Sequence, residues 1–444
     1  MNIECEQRPA KVSAATKQAG EAHGQRWSWV ERTVWTERML EALEEGVKGG
    51  VWFSLIDKVY RPRVLATAWQ QVKHKGRAVG SDHQNLEQFE SKLESNLAKL
   101  EAELRTGTYR PRPIRRTYIP KPGGKEKRPL GIPAVRDKVV QTALKMVVEP
   151  IFEREFIDTS YGFRPGKGCK GALRRVEGLL KAGYTWVVDA DLRSYFETIG
   201  HERLMCDMRQ RIADQRVLDL IESFLKQQIL EQMQSWTPEA GSPQGAVISP
   251  LLSNIYLHEV DKAMKMAGYE MVRYADDFVI LCKSRQEAEA ALSRVTELVE
   301  QRELTLHADK TSVVDTRQAD EGFEFLGYRF ESGTRRPRKK SLKQFKDTIR
   351  GKTRRSNGRS MAQIVADVSR TNTGWFEYFK HSHRSTFKPL DGWIRRRLRS
   401  ILRGYKNEKG ISRGWDNQRW PNQYFRDLGY FSLYDAHRAL LQSS

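Results

Sequence analysis

The stretch YEMVRYADDFVILCK, residues 269–283, decides the fold expected of this chain. Mostly apolar runs, residues 271–274 and 278–281, lie on either side of a short polar turn. This pattern is typical of a buried β-hairpin, which here would carry Asp276 and Asp277 at its tip. Adjacent aspartates are commonest in solvated turns, so the hairpin alone leaves a purely structural role open.

A second acidic element lies upstream, in YTWVVDADL, residues 184–192. Alternate residues of an extended strand share a face, so Asp189 and Asp191 are expected to point the same way. Carboxylates from a strand and from a hairpin are what a polymerase palm needs to hold two Mg²⁺ ions about 4 Å apart. The two elements together therefore predict a polymerase palm with magnesium as its cofactor.

Composition narrows the partners of the chain. Its 444 residues suffice for two or three domains, and 77 Lys and Arg against 56 Asp and Glu give a net charge of +21. Such an excess points to a polyanion, either nucleic acid or an anionic membrane face. The sequence has neither an apolar run long enough to span a bilayer nor a signal peptide, which predicts a cytoplasmic protein with no membrane partner.

Two segments before the first acidic strand carry candidate phosphate contacts. The Pro- and Gly-rich run at residues 109–133 suits a basic hairpin that presents Lys121 and Arg128, which could clamp a triphosphate. A general RNA-backbone patch explains the same bases equally well. In the loop SYGFRPGKGCKGAL, residues 160–173, Arg164 is a candidate contact for template or phosphate, or else an ordinary surface arginine.

The excess charge is concentrated near the end of the chain. Residues 335–403 contain 21 Lys and Arg against 4 Asp and Glu, a net of +17. A helix there has an apolar stripe with arginines elsewhere on its surface, which predicts RNA contacts by Arg395, Arg396, Arg399 and Arg403. The alternative is a solvated basic face.

Several blocks occur in the order and spacing of reverse-transcriptase motifs. They are FETIGHERL (196–204), GSPQGAVISPLLSNIYLHEVD (241–261), RYADDFVIL (273–281), LTLHADKT (304–311) and FEFLGYRF (323–330). From about Trp27 to its C-terminus the chain resembles bacterial group II intron reverse transcriptase/maturases. The resemblance implies an α+β right-hand polymerase fold, with fingers, a palm built on an antiparallel sheet and a helical thumb.

The resemblance also assigns roles to individual residues. It implies that Asp191, Asp276 and Asp277 are the catalytic acids and that these three, with Leu192, are the metal ligands. Asp276 is expected to bind metal more directly than Asp277. For the incoming dNTP the implied contacts are Lys121, Arg128, Phe196, Gln244 and Lys310, with Phe196 as the gate that excludes a ribose 2′-hydroxyl.

The same resemblance divides the chain into regions. These are a disordered leader (1–26), an N-terminal extension (27–108), fingers (109–182), palm (183–332), thumb or maturase domain X (333–404) and a short DNA-binding region (405–444). A C-terminal endonuclease is not expected. The loop at residues 73–85 matches the family poorly, so template switching is left open.

The predicted function is RNA-directed DNA polymerisation combined with maturase activity. The protein would bind its group II intron RNA, assist splicing and copy the intron into DNA for retrohoming. Its partners would be the intron RNA, an RNA template with a DNA primer, target DNA and dNTPs. Two alternatives remain: a maturase that seldom polymerises, and a reverse transcriptase of another kind, such as that of a retron, which the basic segment disfavours.

Overall fold

The structure, a computed structural model, describes residues 26–442 apart from 48, 76–77, 121–126, 233, 319, 356–357, 409 and 411. The expected leader, except Arg26, and the expected dNTP contact Lys121 lie outside the described residues. The chain divides between residues 313 and 314 into two compact units. No helix within the described ranges is long and apolar enough to cross a membrane.

The first unit alternates helices with short strands. Its helices are α1 Glu37–Glu45, α2 Ile56–Val59, α3 Pro62–Lys75, α4 Leu86–Glu90, α5 Leu93–Thr106, α6 Val135–Glu153, α7 Cys169–Lys181, α8 Tyr195–Thr198, α9 His201–Arg209, α10 Gln215–Leu225, α11 Ser249–Met266 and α12 Arg285–Gln301. Its strands are β1 Ile114–Pro120, β2 Lys127–Ile132, β3 Trp186–Asp191, β4 Ile229–Glu231, β5 Gln234–Trp236, β6 Glu270–Tyr274, β7 Asp277–Cys282 and, at its end, β8 Ser312–Asp315.

The palm sheet has the strand order β6-β7-β3-β8. β6 and β7 form the expected hairpin, and β3 pairs antiparallel with β7 from Trp186↔Cys282 to Asp191↔Asp277. Residues 278–282 of β7 are all buried, because helices and neighbouring strands cover both of its faces. The apolar runs in the sequence therefore fix the sheet, and the acids come at its end.

A second sheet in this unit has the order β2-β1-β4-β5. β1 and β2 pair antiparallel from Arg115↔Ile132 to Pro120↔Lys127, which confirms the expected basic hairpin. β4 lies beside β1 in parallel, and the main-chain N of Ile114 donates to the Gln228 carbonyl at 2.7 Å. The start of β1 is thus tied to the chain that precedes β4.

The second unit is a small sheet followed by helices. Its elements are β9 Gly322–Phe325, β10 Tyr328–Glu331, β11 Thr334–Pro337, α13 Lys339–Lys352, α14 Met361–Phe379, α15 Phe387–Tyr405, α16 Gly414–Arg419, α17 Asn422–Asp427 and α18 Leu433–Gln442. The apolar stripe expected on one helix, Leu390, Ile394, Leu398 and Ile401, lies on α15 and is buried in this unit's own core.

Candidate active site in the palm

The two acidic elements meet at one end of the palm sheet. Asp191 is the last residue of β3 and lies directly opposite Asp277, the first residue of β7. Asp276 occupies the two-residue turn that joins β6 to β7. The structure thus brings together acids that are 85 residues apart in the chain, as the sequence pattern predicted.

The electrostatics of Asp276 reveal its neighbours. Burial raises the pKa of Asp276, and the negative charge of nearby Asp191 raises it further. A main-chain hydrogen bond and the positive charges of Arg128 and Lys310 act in the opposite direction. Two expected metal ligands and two expected triphosphate contacts are therefore close enough to perturb one carboxyl group.

Lys310 contacts the acid of β3 directly. Its ammonium is hydrogen-bonded to Oδ2 of Asp191, and it belongs to a short 3₁₀ turn, Ala308–Lys310. The same segment is tied to β3 through the main chain, because the N of His307 donates to the Asp191 carbonyl at 2.8 Å. Lys310, expected near the triphosphate, thus lies beside one of the expected catalytic acids.

The backbone at Leu192 is oriented by its neighbours. Leu192 faces Leu306 in an isolated antiparallel bridge, in which Arg193 donates to the Thr305 carbonyl at 2.9 Å. The bonds on either side of such a pair leave the central residue's own carbonyl pointing away from its partner. The Leu192 carbonyl therefore points to the side of β3 on which Asp277 lies.

The donor set fits a divalent metal. Carboxylates of Asp191 and Asp276 and the Leu192 carbonyl are hard oxygen donors of the kind that Mg²⁺ prefers. The charge of Asp191 raises the pKa of Asp276 in this partly buried site, and a cation bound by the two carboxylates would offset that repulsion. Within the described ranges, however, no three acidic, His or Cys side chains come together as a metal group. Asp191 and Asp276 are close enough for their charges to interact, and Asp277 lies opposite Asp191 in the sheet.

The turn that carries Asp276 is strained and closely packed. Ala275 has φ +59°, a left-handed value that a residue with a Cβ adopts at a cost. Gly162 lies against it, since a Cβ on Gly162 would come within 2.3 Å of the Ala275 nitrogen. A loop from before β3 therefore supports the turn, and only glycine fits at the contact.

Arg273 holds the turn from inside the protein. It is 1% exposed, its Nε donates to Oδ1 of Asp261 at 2.7 Å, and its Nη2 bonds to Oδ2. Its Nη1 donates to the Ala275 carbonyl at 2.9 Å and to Oδ1 of Asn254 at 3.1 Å. Asn254 in turn donates to the Gly162 carbonyl at 2.8 Å, which closes a network around the turn.

Sequence reasoning missed this network. Arg273, Asp261 and Asn254 lie in motifs that the sequence analysis quoted, but nothing there gave them a role. The available signal was a charged residue inside an apolar strand, because a buried arginine requires a partner. Finding Asp261 as that partner required the tertiary packing of α11 on β6.

The SPQG loop, residues 242–245, contacts two segments that carry expected nucleotide contacts. The N of Ser242 donates to the Phe196 carbonyl at 2.7 Å, and the Gln244 carbonyl accepts from the N of Gly131 at 2.7 Å. At Gly245, which has φ +108°, a Cβ would lie 2.6 Å from the Gly131 carbonyl oxygen. The loop thus joins the backbone of the expected gate to the strand that carries Arg128.

The arginines expected to contact RNA differ from one another in burial and in partners. Arg164 is 7% exposed, and all three of its guanidinium nitrogens donate, to Glu153 and to the carbonyls of Phe156, Ile157 and Ser160. Its guanidinium is therefore occupied within the protein, and its role is to fix this loop. In the second unit, Arg403 forms ion pairs with Asp416 and Glu408, Arg399 is 5% exposed and Arg396 is exposed.

Comparison with known proteins agrees with this geometry. Residues 119–330 match the family described as reverse transcriptase (RNA-dependent DNA polymerase), and residues 342–420 match the group II intron maturase-specific domain. The chain is 37% identical over 316 residues to Protein YkfC of Escherichia coli (strain K12), covering 62% of this chain and 82% of that protein.

A second relative is the group II intron-encoded protein LtrA of Lactococcus lactis subsp. cremoris, 42% identical over 169 residues. That match covers 38% of this chain but 28% of LtrA. Among solved structures, a chain of the partial Cas6-RT-Cas1–Cas2 complex is 25% identical with a TM-score of 0.37, covering 56% of this chain and 42% of that one. The two family matches and the acids of the palm identify this chain as a member of the reverse transcriptase family, the RNA-directed DNA polymerases, with a group II intron maturase-specific domain.

Proposed function

We propose that this protein copies RNA into DNA at the palm site of Asp191 and Asp276, and that it binds a group II intron RNA and assists its splicing. One observation carries the polymerase proposal: Asp276 is held at the tip of a braced hairpin, where the charge of Asp191 perturbs its carboxyl group. Asp277 is the third catalytic acid of the proposal, opposite Asp191 in the sheet.

Reverse transcriptases as a family use divalent metal ions, and we assign two Mg²⁺ ions to this site. Asp191, Asp276 and the Leu192 carbonyl would hold them, with Asp277 as the remaining candidate ligand. When bound, such ions activate a primer 3′-hydroxyl and stabilise the pyrophosphate leaving group. The protein's own part is to hold the two carboxylates in place through the Arg273 network and the β3–β7 register.

The positive charges beside the acids suit the triphosphate of a dNTP. Arg128 and Lys310 both act on the carboxyl group of Asp276, so an anion bound between them would lie next to the reacting groups. Phe196 and Gln244, joined by the SPQG loop, are assigned to the sugar and to the nucleotide pocket. The proposed contact between Lys121 and the triphosphate rests on the sequence resemblance alone.

The maturase-specific domain supports intron RNA as the partner of the second unit. Two further parts of the proposal come from the sequence resemblance, namely copying of the intron into target DNA and the regional boundaries given above. A cytoplasmic site of action is proposed from the apolar pattern of the sequence. A maturase that does not polymerise is the competing function. The braced acidic turn favours polymerisation, because a strained turn that a buried network maintains is typical of a working active site.

Primer extension on an RNA template with a DNA primer tests the proposal. Asp276→Asn is expected to lower the rate at least 10³-fold, since removing a metal ligand removes most electrostatic stabilisation of the reaction. Asp219→Asn, an exposed acid on α10, serves as the matched control and should retain normal activity. Undiminished synthesis by Asp276→Asn would refute the site. A splicing assay on the same variant separates the two activities, because a maturase function should survive the substitution.

A further inference from the structure

A cavity lined by four arginines lies in the second unit, more than 100 residues after the acids of the palm. It has a volume of about 690 Å³ and lies between α15 and residues 412–422. Arg395, Arg396 and Arg399 line it from α15, and Arg413 lines it from the segment before α16. Among the described residues no Asp or Glu lines this arginine cavity.

Helix α15 places the three arginines that line the cavity on one face. Residues three and four apart on a helix are neighbours, so these guanidinium groups repel one another. Arg395 approaches Asp391 only to 3.9 Å. That carboxylate already accepts hydrogen bonds from the hydroxyls of Tyr430 and Ser432 and from the main chain of Leu433 and Tyr434. Asp391 therefore mainly stabilises the fold through these four hydrogen bonds.

Arg399 is the most informative of the four. It is 5% exposed, its Nε donates to the Trp420 carbonyl at 2.8 Å, and its Nη2 donates to Oδ1 of Asn422 at 2.8 Å. Its guanidinium also lies over the Phe425 ring, 5.3 Å from the centroid. Its Nη1 donates to no described residue. Burial, followed by the charge of Arg395, lowers the pKa of Arg399, and the charge of Asp416 acts in the opposite direction.

The acids of this region are paired elsewhere. Asp416 and Glu408 accept from Arg403, and Glu408 also accepts from Arg419 at 2.6 Å. Neither Arg403 nor Arg419 lines the cavity. Apart from the 3.9 Å approach of Asp391 to Arg395, the ion pairs of these described carboxylates are with arginines outside the cavity.

A buried guanidinium that is oriented by neutral acceptors and faces other cations gains further stabilisation from an anion bound in the cavity. The planar guanidinium group donates in a fork that matches phosphate oxygens, and four of them converge here. Ser412, Asn417 and Asn422 add neutral polar groups at the wall, which suit a sugar next to the phosphate. The volume lies within the range of about 300–1,000 Å³ that ligand pockets occupy.

We propose that the arginine cavity binds a backbone phosphate of an RNA strand, with the phosphate oxygens on Arg395, Arg396, Arg399 and Arg413. The inference rests on the proposed RNA partner of this unit and names its contact point. It also revises the set of arginines expected from sequence. Arg413, which the helical pattern of α15 could not include, lines the cavity, whereas Arg403 does not.

Fluorescence anisotropy with a labelled RNA hairpin and the full chain, measured over a series of salt concentrations, tests the cavity. The Arg396→Gln/Arg413→Gln variant removes two exposed cavity cations and spares buried Arg399. The plot of log affinity against log salt is expected to lose about one unit of slope, because the cavity binds one phosphate and each phosphate contact contributes about one. Affinity at low salt should fall roughly tenfold or more.

The matched control is Arg419→Gln/Arg426→Gln, which removes the same charge from exposed positions outside the cavity. It should change affinity less than about twofold. Equal losses for the two double variants would overturn the site and leave only a general effect of charge. Unchanged RNA affinity in the cavity variant would also overturn the proposed phosphate site.

A charge insertion gives a second, independent measurement. Asn417→Asp places a carboxylate in the cavity wall, whereas Gln418→Glu adds the same charge at the next, non-lining position. Weaker RNA binding by Asn417→Asp alone supports the cavity, and identical behaviour of the two contradicts it. DNA of the same sequence serves as the competing ligand, and equal dependence of DNA binding on the cavity would overturn the RNA assignment. Primer extension by the unaltered protein is measured in parallel, since its absence counts against the polymerase and not against the cavity.

Discussion

Arg273 in the palm and Arg399 on α15 are both buried, at 1% and 5% exposure, yet their surroundings differ. Arg273 forms an ion pair with Asp261 and also donates to Asn254 and to the turn that carries Asp276. Arg399 is held by a carbonyl and an amide oxygen and has no ion-pair partner within 4 Å among the described residues, although the charge of Asp416 acts on it from farther away. A buried arginine that has an ion-pair partner supports the fold, whereas we propose that one without such a partner binds an anion.

Arg164 follows the pattern of Arg273. It is buried, paired with Glu153 and bonded to three main-chain carbonyls, and it fixes the loop that contains Gly162. The comparison therefore sorts arginines by their partners and not by their position in a basic segment. It makes three predictions, in order of decreasing effect.

Arg273→Met is expected to destabilise the protein most. It leaves Asp261 buried without its partner, which costs about 3–5 kcal/mol of the free energy of unfolding. Urea denaturation measures this loss. Primer extension is also expected to fall, because the Ala275 carbonyl loses its donor and the turn loses its brace.

The double variant Arg273→Met/Asp261→Leu separates the two effects. Removing both charges should restore much of the stability, while primer extension stays low because the brace is still missing. A loss of less than about 1 kcal/mol in Arg273→Met would contradict the paired role. Full activity in the double variant would show that the turn does not need the brace.

Asp137 is a buried carboxylate with mainly neutral partners. It accepts from the Tyr109 hydroxyl at 2.6 Å, from the N of Arg112 at 2.9 Å and from Gln227 at 3.2 Å, while Arg136 approaches to 3.8 Å. Burial raises the pKa of Asp137 from 3.8 to about 6. The folded protein thus keeps a proton that the unfolded chain releases, so its contribution to stability falls as pH rises from about 4 to about 6.

The change over that pH range is about 3 kcal/mol, since one pKa unit corresponds to about 1.36 kcal/mol. Asp137→Asn removes the titration, so the difference in the free energy of unfolding between the two proteins should shift by this amount. Urea denaturation at intervals between pH 4 and 7 provides the measurement. Parallel curves for the two proteins would show that Asp137 is ionised throughout this pH range.

Arg399→Met is expected to have the smallest effect on stability, at most about 2 kcal/mol. It leaves the Trp420 carbonyl without its donor but also removes an uncompensated buried charge, and these effects oppose each other. Thermal unfolding with and without the RNA hairpin measures both stability and binding. RNA should raise the melting temperature of the unaltered protein more than that of the variant. A destabilisation as large as that of Arg273→Met would place both arginines in the same structural class.

The palm could be predicted from sequence because its signals are local. Alternation in residues 184–192 identified the strand with Asp191, and two apolar runs around one turn identified the hairpin with Asp276. The expected order of motifs then fixed their pairing. Helix α15 was also predicted with its buried stripe, since a 3.6-residue period records which face is covered.

The roles of individual arginines could not be predicted in the same way. Exposed and buried guanidinium groups occur at similar helical positions, and residues 412–422 determine which of those on α15 are covered. Arg164 lies in a Gly- and Pro-rich loop that looks solvated, yet Glu153 and three carbonyls enclose it. Burial of a long polar side chain depends on distant segments, which local pattern does not record.

The central claim is that Asp191 and Asp276 form one metal centre. Electron paramagnetic resonance of Mn²⁺, titrated into the unaltered protein, Asp276→Asn and the control Asp219→Asn, tests it most directly. The account predicts that Asp276→Asn loses at least tenfold in Mn²⁺ affinity while its thermal unfolding is unchanged, and that Asp219→Asn binds normally. Equal Mn²⁺ binding by all three proteins would contradict it.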